Sequence, residues 1–240
     1  MKRFQEIDLF RGIAVIGMII YHTIFAINFL GIAYTNILSD LWLPFLRFVQ
    51  FTFLGLVGVS MAISKKTYAQ QIKRALKIFS GALAITILTY IFVPDYFIIF
   101  GILHLITVSI LILPAIKNKK HMGLIFGLAA IAISLFIRNI DSENILLFIL
   151  GFKNTTIASL DYFSIFPWIA VPFFGLEIGQ YLYKDNAPIL DAKCPKILSP
   201  VLFLGRHSFL IYVIHVPIIL LLLFIFQTFF PLQVISFNLN

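Results

Sequence analysis

Residues 7–30 read Ile7-Asp8-Leu9-Phe10-Arg11-Gly12-Ile13-Ala14-Val15-Ile16-Gly17-Met18-Ile19-Ile20-Tyr21-His22-Thr23-Ile24-Phe25-Ala26-Ile27-Asn28-Phe29-Leu30. The run is long enough to cross a bilayer as a helix, which needs about 20 mostly apolar residues. It exceeds the apolar core of a secretory signal and carries Asp8, Arg11 and His22, so it reads as a retained span. At about 100° per residue, Arg11 falls about 60° and His22 about 40° from Asp8, so all three share one stripe. Ionisable groups in such a helix are costly and face a bundle interior or a wet cavity. The stripe reads as an access route running inward from one membrane face and ending at an imidazole.

The rest of the chain repeats the pattern. Of its 240 residues 61% are hydrophobic and 12% charged, with a mean hydropathy of +1.03. A soluble domain holds about a quarter charged residues, so the composition predicts an all-α, polytopic membrane bundle. Seven spans are expected: Ile7–Leu30, Leu41–Ile63, Ile72–Val93, Phe97–Ile116, Met122–Ile137, Tyr162–Tyr183 and Pro200–Phe230. The last is over-long, with an interfacial start expected near Leu204 and a kink expected at Pro217. Ile145–Gly151 is too short to span. The chain reads as a single domain over residues 1–240, with no internal repeat and no long linker.

Charge sets the orientation. Lys2, Arg3, Lys65, Lys66, Lys73, Arg74, Lys77, Lys117, Lys119, Lys120, Lys184, Lys193 and Lys196 fall on one side of the spans. The other side holds Asp40, Asp95, Asp141, Glu143 and Asp161, with only Arg138 and Lys153 as bases. The positive-inside rule then places the N-terminus in the cytoplasm and the C-terminus outside. The net charge of +8 is thus a topology signal, and no nucleic-acid partner is expected. The lone Cys194 excludes an intrachain disulfide and a multi-cysteine zinc site.

Several residues within the spans are candidates for chemistry. His22 lies about 20 Å along its helix from Ile7. It reads either as a neutral histidine bonded within the bundle or as a general base or acyl acceptor. Asp8 and Arg11 read either as an interfacial i, i+3 pair or as a support and an anion-binding arginine. Ser208, Tyr212 and His215 fall within about 60° of one another and form a polar ladder. His104 opens the fourth span. Glu177 is expected to snorkel or to pair with Arg11 or Arg206. Arg47 and Trp168 are candidate substrate contacts in the outer half, with snorkelling and interfacial anchoring as the alternatives. Pro167 and Pro172 are expected to interrupt the sixth span and shape a cavity there. No phosphate-binding glycine loop, nucleophile elbow or His-Glu-x-x-His motif is present.

Four stretches then resemble a family in order. They are Ile7-Asp8 … Phe10-Arg11-Gly12-Ile13-Ala14 … Met18 … His22; Phe100-Gly101-Ile102-Leu103-His104; Asp161-Tyr162-Phe163 … Phe166-Pro167-Trp168 … Gly175 … Gly179; and Gly205-Arg206-His207-Ser208 … Ile211-Tyr212 … His215-Val216-Pro217. Together they resemble the prokaryotic relatives of heparan-α-glucosaminide N-acetyltransferase, within the wider transmembrane acyltransferase superfamily. The resemblance implies a multi-pass enzyme of the cell membrane. It would move an acetyl or other acyl group from cytoplasmic acyl-CoA to an amine or hydroxyl of a sugar or glycoconjugate outside. Arg11 and His22 match positions regarded as important in related acyltransferases. The family's active-site histidine in the loop after its first span has no counterpart in the loop Gly31–Asp40.

The expected mechanism uses a tunnel between spans one, four, six and seven. Acetyl-CoA, as co-substrate, would meet Arg11, Arg206, Lys65, Lys66, Lys73 and Arg74 with its phosphates. Its thioester would reach His22, with His104 or His215 polarising the carbonyl. Arg47, Trp168, Ser208 and Tyr212 would contact the acceptor, and Asp8 and Glu177 would support the site. No metal or haem is expected, and self-association is left open. The rival reading is a transporter or flippase whose His and Arg residues line a path.

Overall fold

The computed structural model of the chain describes residues 4–33, 42–184, 187–189 and 194–229. Lys2, Arg3, Asp40, Leu41, Lys193 and Phe230, used above for topology or span limits, lie outside them.

The described chain is helical. The helices are α1 (Gln5–Phe29), α2 (Trp42–Ala62), α3 (Tyr68–Phe92), α4 (Ile102–Ile116), α5 (Met122–Ile137), α6 (Ile145–Leu150), α7 (Ile165–Trp168), α8 (Ala170–Leu182), α9 (Ser199–Arg206) and α10 (Ser208–Phe229). Among the described residues five segments are long and apolar enough to cross a membrane: α1, α2, α3, the joined α7–α8 and α10. The helices α4 and α5 have 15 and 16 residues, about 22–24 Å at the helical rise. That falls short of a hydrocarbon core of about 30 Å. The Phe97–Gly101 part of the expected fourth span is not helical. Its backbone bonds a later segment instead, with Phe163 N–H donating to Phe100 O at 2.9 Å and Leu160 N–H to Tyr96 O at 3.0 Å.

Local chemistry explains the helix limits. At the start of α3, Thr67 and Gln70 form a reciprocal capping box. Asn144 caps α6 by accepting Leu146 N–H at 2.8 Å. Gly151 ends that helix at φ 115°, a left-handed position that favours glycine. The sixth expected span is interrupted, with Phe166 non-helical inside α7 and a break at Ile169. Pro172 falls in the first turn of α8, where the missing N–H costs nothing. The over-long last span divides at His207 into α9 and α10. Large apolar side chains such as Phe92, Phe136 and Tyr181 are 77%, 78% and 81% exposed, as lipid-facing positions require.

Two compact units result, Met1–Phe53 with Leu190–Asn240, and Leu54–Ile189. The first holds α1, residues 42–53 of α2, α9 and α10. Its core is Val15, Met18 and Val49, with Phe45, Phe53, Leu204, Ile211 and Tyr212 packed on it. Here α1 and α9 touch backbone to backbone: a Cβ on Gly12 would stand 2.1 Å from Val201 O, and one on Gly205 1.8 Å from Asp8 O. The second unit holds residues 54–62 of α2 with α3–α8. In it α2 and α8 meet equally closely, Gly58 against Pro172 O and Gly175 against Gly55 O. Small residues allowing such contact are the usual basis of helix association in lipid.

Candidate functional site

The glycine contact in the first unit sets the geometry of its charged groups. Gly12 follows Arg11 and Gly205 precedes Arg206, so the crossing of α1 and α9 delivers both arginines to one place. Asp8, 5% exposed, stands between them. Arg11 Nη1 lies 3.3 Å from Asp8 Oδ1, and Arg206 Nε lies 3.6 Å from Oδ2. Each guanidinium has five N–H donors, more than one carboxylate can accept. Glu6, also buried, lies two residues earlier; its place next to the N-terminal charges hides it from sequence reading.

Further along α1, His22 meets His215 of α10. Their ring centroids are 4.6 Å apart at 84°. His22 Nδ1 is 2.9 Å from Met18 O, and His215 Nδ1 is 2.6 Å from Tyr212 O. A carbonyl only accepts, so both rings carry their proton on Nδ1 and, when neutral, present an Nε2 lone pair. His215 is buried, and among the described residues its Nε2 has no hydrogen-bond partner. Tyr212 adds its ring at 5.4 Å from His215, and Tyr21 stands edge-on to His22 at 5.5 Å. Ser208 opens α10, partly buried. Arg47 is exposed on α2 and donates to Gln50 Oε1 at 3.0 Å.

His104, in the second unit, has the opposite tautomer. Its Nδ1 accepts Gly101 N–H at 3.2 Å, so the neutral ring carries its proton on Nε2 and offers a donor. Asp161 Oδ2 accepts Ile102 N–H at 3.1 Å, and a Cβ on Gly101 would stand 2.4 Å from that oxygen. Trp168 packs on Phe163 with centroids 4.8 Å apart. Lys65, Lys66 and Lys73 are exposed, and Arg74 is partly buried. Lys117 donates to Ser64 O, and burial pushes its pKa down. A polar cavity of about 190 Å³ lies at Asp141, Ser142, Glu143, Lys153, Asn154, Thr155 and Thr156.

Glu177, expected to snorkel or to pair with Arg11 or Arg206, has its Oε1 3.2 Å from His121 Nδ1. Both residues lie in the second unit, where the start of α5 meets α8. No spacing rule singles out His121, which sits at φ 61° just before α5.

The four sequence stretches therefore assemble in pairs. The first and fourth meet in one unit, and the second and third in the other. Helices of this length and apolarity, with buried charges and imidazoles, define a polytopic helical membrane protein. The family model of the heparan-alpha-glucosaminide N-acetyltransferase catalytic domain matches residues 3–217, and the chain belongs to that family. All four stretches fall within the matched residues. Acyl transfer in a membrane is the general chemistry of the family. No curated protein and no solved structure matches the chain.

Proposed function

We propose that the protein moves an acetyl or related acyl group from cytoplasmic acyl-CoA to an amine or hydroxyl of a sugar or glycoconjugate on the far side of the cell membrane. The observation that carries this reading is the His22–His215 pair, two adjacent imidazoles with their Nδ1 protons held by backbone carbonyls. An Nε2 lone pair is what a general base or an acyl acceptor needs. His22 takes the acceptor's proton, or the acyl group itself, and His215 is its partner. Arg11 and Arg206 hold donor phosphates, and Lys65, Lys66, Lys73 and Arg74 are the further proposed donor contacts. His104, with its Nε2–H, suits polarisation of a carbonyl oxygen. Arg47, Trp168, Ser208 and Tyr212 are the proposed acceptor contacts. Asp8 supports the arginines. Glu177, bonded to His121, acts only through the packing of α5 on α8.

The test is thioester consumption by purified protein given acetyl-CoA and glucosamine. His22→Ala is expected to lower turnover by about 10²–10⁴-fold if its ring is the base. A well-folded variant within about threefold of wild type would remove His22 from that role.

A further inference from the structure

We propose that Asp161 is a positioning residue for the acyl transfer: through the first turn of α4 it keeps the His104 ring with its proton on Nε2. The inference rests on the reading of His104 as the group that polarises a carbonyl oxygen. The first N–H groups of a helix have no partner within it. The residue before α4 is Gly101, which has no side chain to cap them. The cap comes from elsewhere in the chain, with Asp161 Oδ2 accepting Ile102 N–H at 3.1 Å. A carboxylate also suits the positive end of the helix dipole. With that N–H taken, the neighbouring Gly101 N–H is left to the ring. His104 reaches back and accepts it on Nδ1 at 3.2 Å, as the glutamate of a capping box does. An N–H only donates, so Nδ1 carries the lone pair and the proton of the neutral ring sits on Nε2.

The two segments are held in register. Leu160 N–H donates to Tyr96 O at 3.0 Å and Phe163 N–H to Phe100 O at 2.9 Å. These bonds bracket Asp161 and bring it to the start of α4. Space fits the same arrangement, because a Cβ on Gly101 would stand 2.4 Å from Asp161 Oδ2 and 3.1 Å from its Cγ. Gly101 has φ −91°, which any residue adopts, so the glycine serves to make room for the carboxylate. His104 is buried, with ring centroids 5.4 Å from Phe100 and 6.1 Å from the edge-on Phe79. Phenyl rings do not select between the two tautomers, so the backbone bond does. Without Asp161 the Ile102 N–H loses its acceptor, which is costly away from water. The turn then rearranges and Nδ1 loses its donor. A proton moving to Nδ1 would leave a lone pair on Nε2, where the reaction needs an N–H.

The test is a double-mutant cycle with a spectroscopic readout on the full chain. Asp161→Ala should lower kcat about 10–10²-fold, with the KM for acetyl-CoA within about threefold. In a His104→Ala background the same change should cost less than about threefold, because the group it acts through is gone. Asp161→Asn keeps an acceptor oxygen for Ile102 N–H and should hold kcat within about threefold of wild type. Nitrogen-15 NMR of histidine-labelled protein at about pH 8, where imidazole is neutral, reads the tautomer directly. His104, identified by its loss in His104→Gln, should carry its proton on Nε2 in the wild type and in Asp161→Asn. In Asp161→Ala it should shift to Nδ1 or to a mixture. Gly101→Ala, whose methyl displaces the end of a flexible carboxylate side chain, should shift it likewise and serves should Asp161→Ala misfold. An Nδ1 proton on His104 in the wild type, an unchanged tautomer in both folded variants, or equal losses of kcat in the two backgrounds overturns the inference. The tautomers are read without turnover, so these failures are distinct from an absence of thioester consumption by the wild type, which would instead remove the acyl-transfer reading.

Discussion

Gly205→Ala is the most informative single substitution. The added methyl carbon would lie 1.8 Å from Asp8 O, with Gly12 N at 3.0 Å. Side-chain carbons essentially never approach within 3.0 Å, so the shortfall is 1.2 Å, and the obstacle is backbone that cannot rotate away. The helices α1 and α9 must part by at least that distance. The Arg206–Asp8 contact, at 3.6 Å, would then stretch beyond ion-pair range. Arg11 and Asp8 share one helix and would stay together. Overpacking of this kind costs about 1–3 kcal/mol. For a chain of this size each kcal/mol moves the midpoint by about 2–4 °C. Thermal unfolding of the purified protein in detergent, followed by intrinsic fluorescence, should therefore show a fall of about 2–12 °C. Acetyl-CoA affinity should fall as well, because Arg206 is displaced. Gly55→Ala is the control. Nothing lies within 4 Å of its added carbon, and replacing a mid-helix glycine by alanine is worth roughly 0.5–1 kcal/mol in the stabilising direction. A Gly205→Ala protein that melts at or above the wild-type temperature would refute the close-contact argument.

Further outcomes are expected. Arg206→Lys keeps the charge but loses the planar fork; the KM for acetyl-CoA should rise about tenfold with kcat within about threefold, and an unchanged KM would remove Arg206 from donor binding. Thr67→Ala breaks the capping box of α3 and should cost about 1 kcal/mol in thermal unfolding. Tyr162, in the segment before α7, donates its hydroxyl to Phe148 O. Burial raises its pKa above the ordinary 10.0, partly opposed by a hydrogen bond with Ser164. The folded chain thus holds the phenol proton more tightly than the unfolded one. Its contribution to stability is complete below about pH 10 and is lost as pH rises through the folded value. Comparing melting curves of wild type and Tyr162→Phe from pH 8 to 11 checks this; the wild type should lose its advantage only in the alkaline part.

The helices of this protein are legible in its residues because a bilayer leaves the backbone little choice: every N–H and C=O must be satisfied within its own segment. Apolar run length therefore locates α1, α2, α3 and α5 closely. The three-residue and eleven-residue spacings that put Asp8, Arg11 and His22 on one stripe are likewise properties of a single helix. What the stripe faces is not. The partners Arg206 and His215 lie almost two hundred residues away, and they arrive because Gly12 and Gly205 let two backbones touch. The His121–Glu177 pair depends in the same way on how α5 packs against α8. The non-helical Phe97–Gly101 segment escaped the apolar-run reading because its backbone is satisfied by a distant strand of chain, near Asp161, and hydropathy carries no record of such long-range bonds. Histidine tautomers belong with these tertiary outcomes. His22, His104 and His215 are the same residue type, and only the backbone group beside each Nδ1 makes two of them lone-pair donors and the third an N–H donor.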